Sequence, residues 1–231
     1  MNRSRTRTTP GAALGIVGAV ASAHIATYRL WRRWCLDWGS TRSEARATLP
    51  GDELLEEPGL ISTRSITINA DAGQIWPWLV QMGPGRAGAY TYDWIENLLG
   101  LDMHSADIII PEYQQISIGD SWQLGERGPV LRVVGLEPER ALVLRSDDGH
   151  WIWAFVLEPG AGTTRLVSRN RIATAGSSWL SRAAMRYLME PGSLVMERKM
   201  LLGIKERAEH MAIVAGQHVP KRAAPVVDAT A

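Results

Sequence analysis

The stretch 60-LISTRSITINADAGQIWPWLVQMGPG-85 changes its period once, and that change sets the architecture of the chain. Up to residue 69 it alternates, with Ile61, Thr63, Ser65 and Thr67 on one side of an extended backbone and Ser62, Arg64, Ile66 and Ile68 on the other. β-Branched residues dominate, so 60–69 reads as an opening strand. Asn69-Ala70-Asp71 turns the chain, and Asp71 is placed as a helix N-cap. Ile75, Trp76, Leu79, Val80 and Met82 then recur at helical spacing until Gly83-Pro84-Gly85 stops the helix. Pro77 falls in an early turn, where its missing N–H costs least.

Downstream, a second short helix is expected over 92–99, ended by Gly100. Strand-like runs follow at 121–124, 130–136, 141–145, 150–158 and 163–173. Glu137-Pro138-Glu139-Arg140, Asp147-Asp148-Gly149 and Pro159-Gly160-Ala161-Gly162 separate the later runs as hairpin connectors. After Gly176 the period is helical again, with an interruption expected at Pro191-Gly192 and a second part over 193–215. Residues 216–231 show no period and are expected to be a disordered tail. The order predicts an α+β domain over 60–215, in which a curved antiparallel sheet wraps around one long C-terminal helix and encloses a cavity.

Composition narrows the function. The chain has 231 residues with 45% hydrophobic content, enough for one domain with a sizeable core. Its 25 basic and 24 acidic residues leave a net charge of +1, which excludes a general electrostatic footprint for nucleic acid. Tryptophan supplies 10 residues and phenylalanine 1. An indole adds apolar area together with an N–H that needs a partner, which suits a cavity wall better than a uniform core. The lone Cys35 excludes an intramolecular disulfide and a cysteine metal cluster.

Residues 1–38 form a basic and apolar N-terminal segment. Residues 11–28 carry no Asp, Glu, Lys or Arg and are flanked by Arg3, Arg5 and Arg7 and by Arg29, Arg32 and Arg33. The leading expectation is a single membrane-anchoring helix, with Trp31, Trp34 and Trp38 at the interface. The alternatives are a cleaved signal ending near Ala21-Ser22-Ala23, giving a secreted protein, or a helix packed on a cytoplasmic domain. Residues 39–59 read as a polar connector.

The element order, together with TINAD at 67–71, IWPWLVQMG at 75–83 and TTRL at 163–166, resembles the SRPBCC superfamily, the START-like group with the helix-grip fold. AYTYDWIENLLG at 89–100 is similar to a bacterial subgroup described as polyketide cyclase-like. The resemblance implies a helix-grip fold, with two short helices after the first strand and here an added N-terminal helix. It also implies a hydrophobic ligand, and it carries no catalytic motif onto this sequence.

The candidate site residues follow from period and chemistry. On the strand at 150–158, Trp151, Trp153, Phe155 and Leu157 share the face expected to wall the cavity. On the last helix, Met200, Leu201 and Ile204 share a stripe into which Glu197 falls. A carboxylate there must be paired, protonated or facing a wet cavity, and Arg169, Arg171 or His104 is the expected partner. Tyr90, Tyr92, Asp93, Trp94, Glu96, Asn97 and His104 form a polar group expected near the mouth, with Trp76 and Trp122 adding apolar wall. His104 and Asp107 lack a second histidine at metal-ligand spacing, and neither a phosphate loop nor a nucleophile elbow is present. No metal and no cofactor is expected. The leading reading is a carrier or sensor for a hydrophobic or amphipathic small molecule, lipid or polyketide-like. The alternatives are a cyclase or dehydratase using Glu197 or His104 as acid or base, and an interaction module with a filled core.

Overall fold

The alternating stretch is a strand, β1 (Leu60–Ile68), and the helical period after it is α2 (Ala72–Val80). At the start of α2 the Gln74 side chain accepts a hydrogen bond from the Asp71 N–H at 3.1 Å. The computed structural model describes residues 10–216 apart from 175 and 177, with side chains from residue 22 onward. Arg3, Arg5, Arg7 and the tail after residue 216 therefore lie outside the described residues.

A short α3 (Asp93–Leu98) follows, and then the meander: β2 (Ser121–Gln123), β3 (Val130–Glu137), β4 (Ala141–Ser146), β5 (Trp151–Pro159) and β6 (Thr164–Ile172). The six strands form one antiparallel sheet in the order β1-β6-β5-β4-β3-β2. The first strand closes against the last, with Leu60 opposite Ile172 and Ile68 opposite Thr164. A bulge between Val133 and Gly135 shifts the register with β4, and such an extra residue bends its strand.

The C-terminal helix runs through α4 (Trp179–Ala184), a wide π-turn (Met185–Met189) and α5 (Glu190–Val214). The interruption expected at Pro191-Gly192 does not occur. Pro191 stands in the first turn of α5, directly after the π-turn, where a missing N–H removes no bond the helix needs. Met200, Leu201, Ile204 and Ala208 of α5 are buried in one cluster with Ile68, Ile75, Phe155 and Leu157.

Gly203 sets how closely α5 approaches the loop before α3. A Cβ there would stand 2.6 Å from the Tyr90 carbonyl oxygen and 2.8 Å from the Tyr90 Cβ. Helix propensity favours alanine over glycine by about 1 kcal/mol, whereas overpacking costs about 1–3 kcal/mol. The clash is against backbone, so it should win. Urea denaturation of Gly203→Ala is expected to show a net loss of about 1 kcal/mol, and a gain would mean that the 89–91 loop yields freely.

The outer face of the sheet is also covered. Val143, Ile152 and Ala154 pack against Leu54 and Leu55, and Leu49 sits on Val156 and Val167. Arg169 and Arg171 of β6 point to this side. Arg169 bonds the Asp52 carboxylate at 2.7 Å and the carbonyls of Ala47 and Glu44 at 2.6 and 2.8 Å, and Arg171 donates to the Leu55 and Glu56 carbonyls. Segment 39–59 is thereby fastened to the sheet as a third layer.

The membrane-anchor expectation for residues 11–28 is overturned. They belong to α1 (Pro10–Leu36), and among the described residues no helix is long and apolar enough to cross a membrane. The stretch is uncharged but rich in Gly and Ala, and the same helix runs on through Arg29, Arg32 and Arg33. The end of α1 packs on the domain. Arg32 makes a two-pronged ion pair with buried Glu190 of α5, both bonds at 2.7 Å, and Arg198 lies over the Trp38 ring. Cys35 is buried beneath this junction, where burial raises its thiol above the ordinary value and so disfavours the reactive thiolate.

Candidate functional site

On β5 the alternation turns Trp151, Trp153 and Phe155 toward α5. Their rings form a ladder, with Trp151 and Trp153 stacked 5.5 Å apart at 17° and Phe155 4.9 Å from Trp153. The register sets Trp153 opposite Asn170 and Phe155 opposite Ser168. Each indole N–H reaches diagonally to the next inward residue of β6: Trp151 donates to Asn170 Oδ1 at 2.8 Å and Trp153 to Ser168 Oγ at 3.0 Å.

Ser168 and Asn170 in turn donate to Glu197 of α5. The serine hydroxyl reaches Oε1 at 2.6 Å, and the Asn170 amide reaches Oε1 and Oε2 at 3.3 and 3.2 Å. Arg64 of β1, completely buried, forms an ion pair with Glu197 Oε2. Its remaining donors go to the Cys35 carbonyl at 3.1 and 3.0 Å and to Ser193 Oγ at 3.0 Å. Glu197 is therefore a hub whose oxygens are occupied, and through two neutral side chains it fixes the orientation of two tryptophans.

In front of this network lies a cavity of about 610 Å³. Trp151, Trp153 and Asn170 wall it from the sheet, Met189, Met196, Glu197 and Met200 from the C-terminal helix, and Leu99, Leu101 and Leu124 from the connecting segments. Arg127, on the exposed β2–β3 hairpin, stands at its rim. A second groove of about 640 Å³ runs along α5 between Trp78 and His210, but its walls carry the charges of Asp107, Lys199, Glu206 and Arg207. The 610 Å³ space is the better candidate for an apolar ligand.

Glu96 of α3 lines the same cavity and differs from Glu197 in every respect that matters. It is 5% exposed, its Oε2 has no hydrogen-bond partner, and the Thr91 hydroxyl is likewise unpartnered. Burial pushes the Glu96 carboxyl above the usual glutamate range. The nearby Thr91 hydroxyl offsets part of that rise without reaching good bonding geometry, and the Asp93 charge adds to it. In the unfolded chain the group ionises at its ordinary value. The stability it contributes is thus complete below that value and is lost as pH rises through the folded-state value. Glu96→Gln is expected to be more stable than the wild type at pH 8, with the difference shrinking toward pH 4. Urea melts at the two pH values check this, and a pH-independent difference would contradict it.

Of the residues expected from sequence, Trp151, Trp153, Glu197 and Met200 meet at the cavity, with Phe155 packed behind Trp153. Leu201 and Ile204 lie in the core. The expected partners of Glu197 are corrected: Arg169 and Arg171 alternate to the outer face, and His104 is exposed and pairs with Asp102 at 3.2 Å. Tyr90 is buried in the core, not at the mouth. Its hydroxyl donates to the Trp78 carbonyl and accepts from Gln81, both at 3.0 Å, while Arg207 covers its ring. Asp93 ties the following loop to α3 through Ser105 N–H and Oγ.

Tyr92 precedes α3 without a side-chain cap, Trp94 is exposed, and Trp76 packs against the core. Trp122 lies beneath Arg86 and borders a separate void of about 30 Å³. Arg64, Ser168 and Asn170 were not singled out in the sequence. A visible signal existed for Arg64, which shares its strand face with Ile66 and Ile68.

No protein-family model and no curated protein sequence matches the chain. Among solved structures it is similar to the Polyketide_cyc-like protein Cgl2372 from Corynebacterium glutamicum, with 15% identity, 68% of this chain and 95% of that chain covered, and a TM-score of 0.42. It is similar also to the KanY protein (ms6282), with 12% identity, 65% and 97% coverage and a TM-score of 0.44. A third is protein MLL2253 from Mesorhizobium loti, with 13% identity, 65% and 98% coverage and a TM-score of 0.40. One strand, two short helices, a five-stranded meander closing on that first strand, and a long helix laid across the sheet give this chain a helix-grip fold.

Proposed function

We propose that this protein binds a hydrophobic or amphipathic small molecule, lipid or polyketide-like, in the cavity between the sheet and α5, as a carrier or sensor. The observation that carries the reading is the cavity of about 610 Å³ walled by indoles whose N–H groups are already bonded to Asn170 and Ser168. Their polar edges are tied back into the protein, so the surface they offer the space is apolar. The volume falls within the roughly 300–1,000 Å³ range of small-molecule sites. Met189, Met196 and Met200 add flexible apolar side chains that adapt to a ligand's shape.

Titration with the neutral fluorophore N-phenyl-1-naphthylamine tests this. The wild type is expected to bind it saturably at one per chain, and Met196→Trp, which fills the cavity from α5, to bind about tenfold or more weakly, since lost burial of a few methylene equivalents is worth that much. Unsaturable binding, or equal affinity in the variant, would place the probe elsewhere and remove the support for this reading.

A further inference from the structure

The proposed cavity leaves open what kind of molecule it holds, and its polar groups narrow the choice. Resting on that reading, we infer that the cavity selects a neutral apolar ligand bearing a hydroxyl group, which hydrogen-bonds Glu96, and that it discriminates against a carboxylate of the same shape.

The polar groups of the lining divide into two sets. Glu197, Asn170 and Arg64 are hydrogen-bonded to one another or to neighbouring protein groups. Glu96 and Thr91 line the same space, but their Oε2 and Oγ1 atoms are covered by protein and meet no group at good bonding geometry. A carboxyl 5% exposed is more than nine-tenths buried and is poorly satisfied by the protein, so a ligand group that reaches its exposed edge from the cavity gains a hydrogen bond there. A ligand hydroxyl does so in either protonation state. It accepts from the acid form and donates to the ionised form.

An anionic head group finds no equivalent. Arg64 is the buried cation of the lining, and its guanidinium is taken up by Glu197, the Cys35 carbonyl and Ser193. Arg127 stands only at the exposed rim. A carboxylate inside would meet Glu96, and behind it Asp93, without a free counter-charge, and burying an unpaired charge is prohibitive. Fatty-acid anions are therefore poor candidates, and apolar alcohols and phenols good ones.

Three probes of one ring shape separate the possibilities: 1-hydroxypyrene, 1-methylpyrene and 1-pyrenecarboxylate, titrated by fluorescence at pH 6.5 into the full chain. The wild type is expected to bind the hydroxyl probe about tenfold more tightly than the methyl probe, the gain of one buried hydrogen bond to a carboxyl group, and the carboxylate probe most weakly. Glu96→Leu should bring the hydroxyl and methyl probes to equal affinity, while Glu96→Gln, which keeps a donor and an acceptor, should preserve the preference. Tightest binding of the carboxylate probe, or a hydroxyl preference that survives in Glu96→Leu, would overturn the inference and leave the cavity reading standing. Failure of all three probes to bind would instead overturn the cavity reading, and this inference with it.

Discussion

Replacing Glu197 by alanine is expected to cost the fold about 3–5 kcal/mol, because it leaves the fully buried Arg64 guanidinium without its counter-charge. Against a typical total stability of about 5–15 kcal/mol, that is enough to bring the protein close to unfolding at ambient temperature. Removing both charges should rescue the fold. A buried ion pair roughly breaks even against a well-packed apolar pair, so Arg64→Met combined with Glu197→Leu should recover most of the loss. Denaturant melts of Arg64→Met, Glu197→Leu and the double variant measure the coupling directly. A double variant as unstable as Glu197→Ala would show that the Ser168 and Asn170 bonds, not the ion pair, carry the energy. A loss under about 1 kcal/mol in the single variant would mean that the cluster is wet.

Arg169→Ala is the second large effect, on the opposite face of the sheet. Arg169 is 3% exposed and donates to the Thr63 hydroxyl, two backbone carbonyls and Asp52. Truncation strands these acceptors and loosens segment 44–56 over Val143 and Ile152. A loss of about 3 kcal/mol is expected, at the lower end for a broken buried pair because Asp52 keeps Arg171 as a partner. The cavity lies on the other face of the sheet, so the folded variant should keep wild-type affinity for N-phenyl-1-naphthylamine. A variant that stays stable but loses the probe would mean that the two faces are coupled through β6.

The strands were legible because alternation is a local property. The expected run 130–136 stops one residue short of Val130–Glu137, and 163–173 overruns Thr164–Ile172 by one residue at each end. Glu197 is legible as a charge on an apolar stripe, whereas its partner is not, because both faces of β6 are covered. Where Arg169 and Arg171 alternate with Ser168 and Asn170, the period separates the two sets without saying which one faces α5. Arg64 carried the clearer mark, a lone charge on the strand face that also holds Ile66 and Ile68. The passage of the helix through Pro191 depends on the π-turn before it, which no local rule for proline anticipates. At the N-terminus the uncharged stretch 11–28 is rich in glycine and alanine, and among the described residues no helix is long and apolar enough to cross a membrane.

The central claim is that the space between the sheet and α5 holds a small molecule. Native mass spectrometry of the full chain purified from its own cells, followed by solvent extraction, tests it most directly. The account predicts a species heavier than the polypeptide by one neutral, hydroxyl-bearing apolar compound, recovered in the extract at near one per chain and absent from Met196→Trp. A spectrum containing only the polypeptide mass, with nothing in the extract, would contradict it.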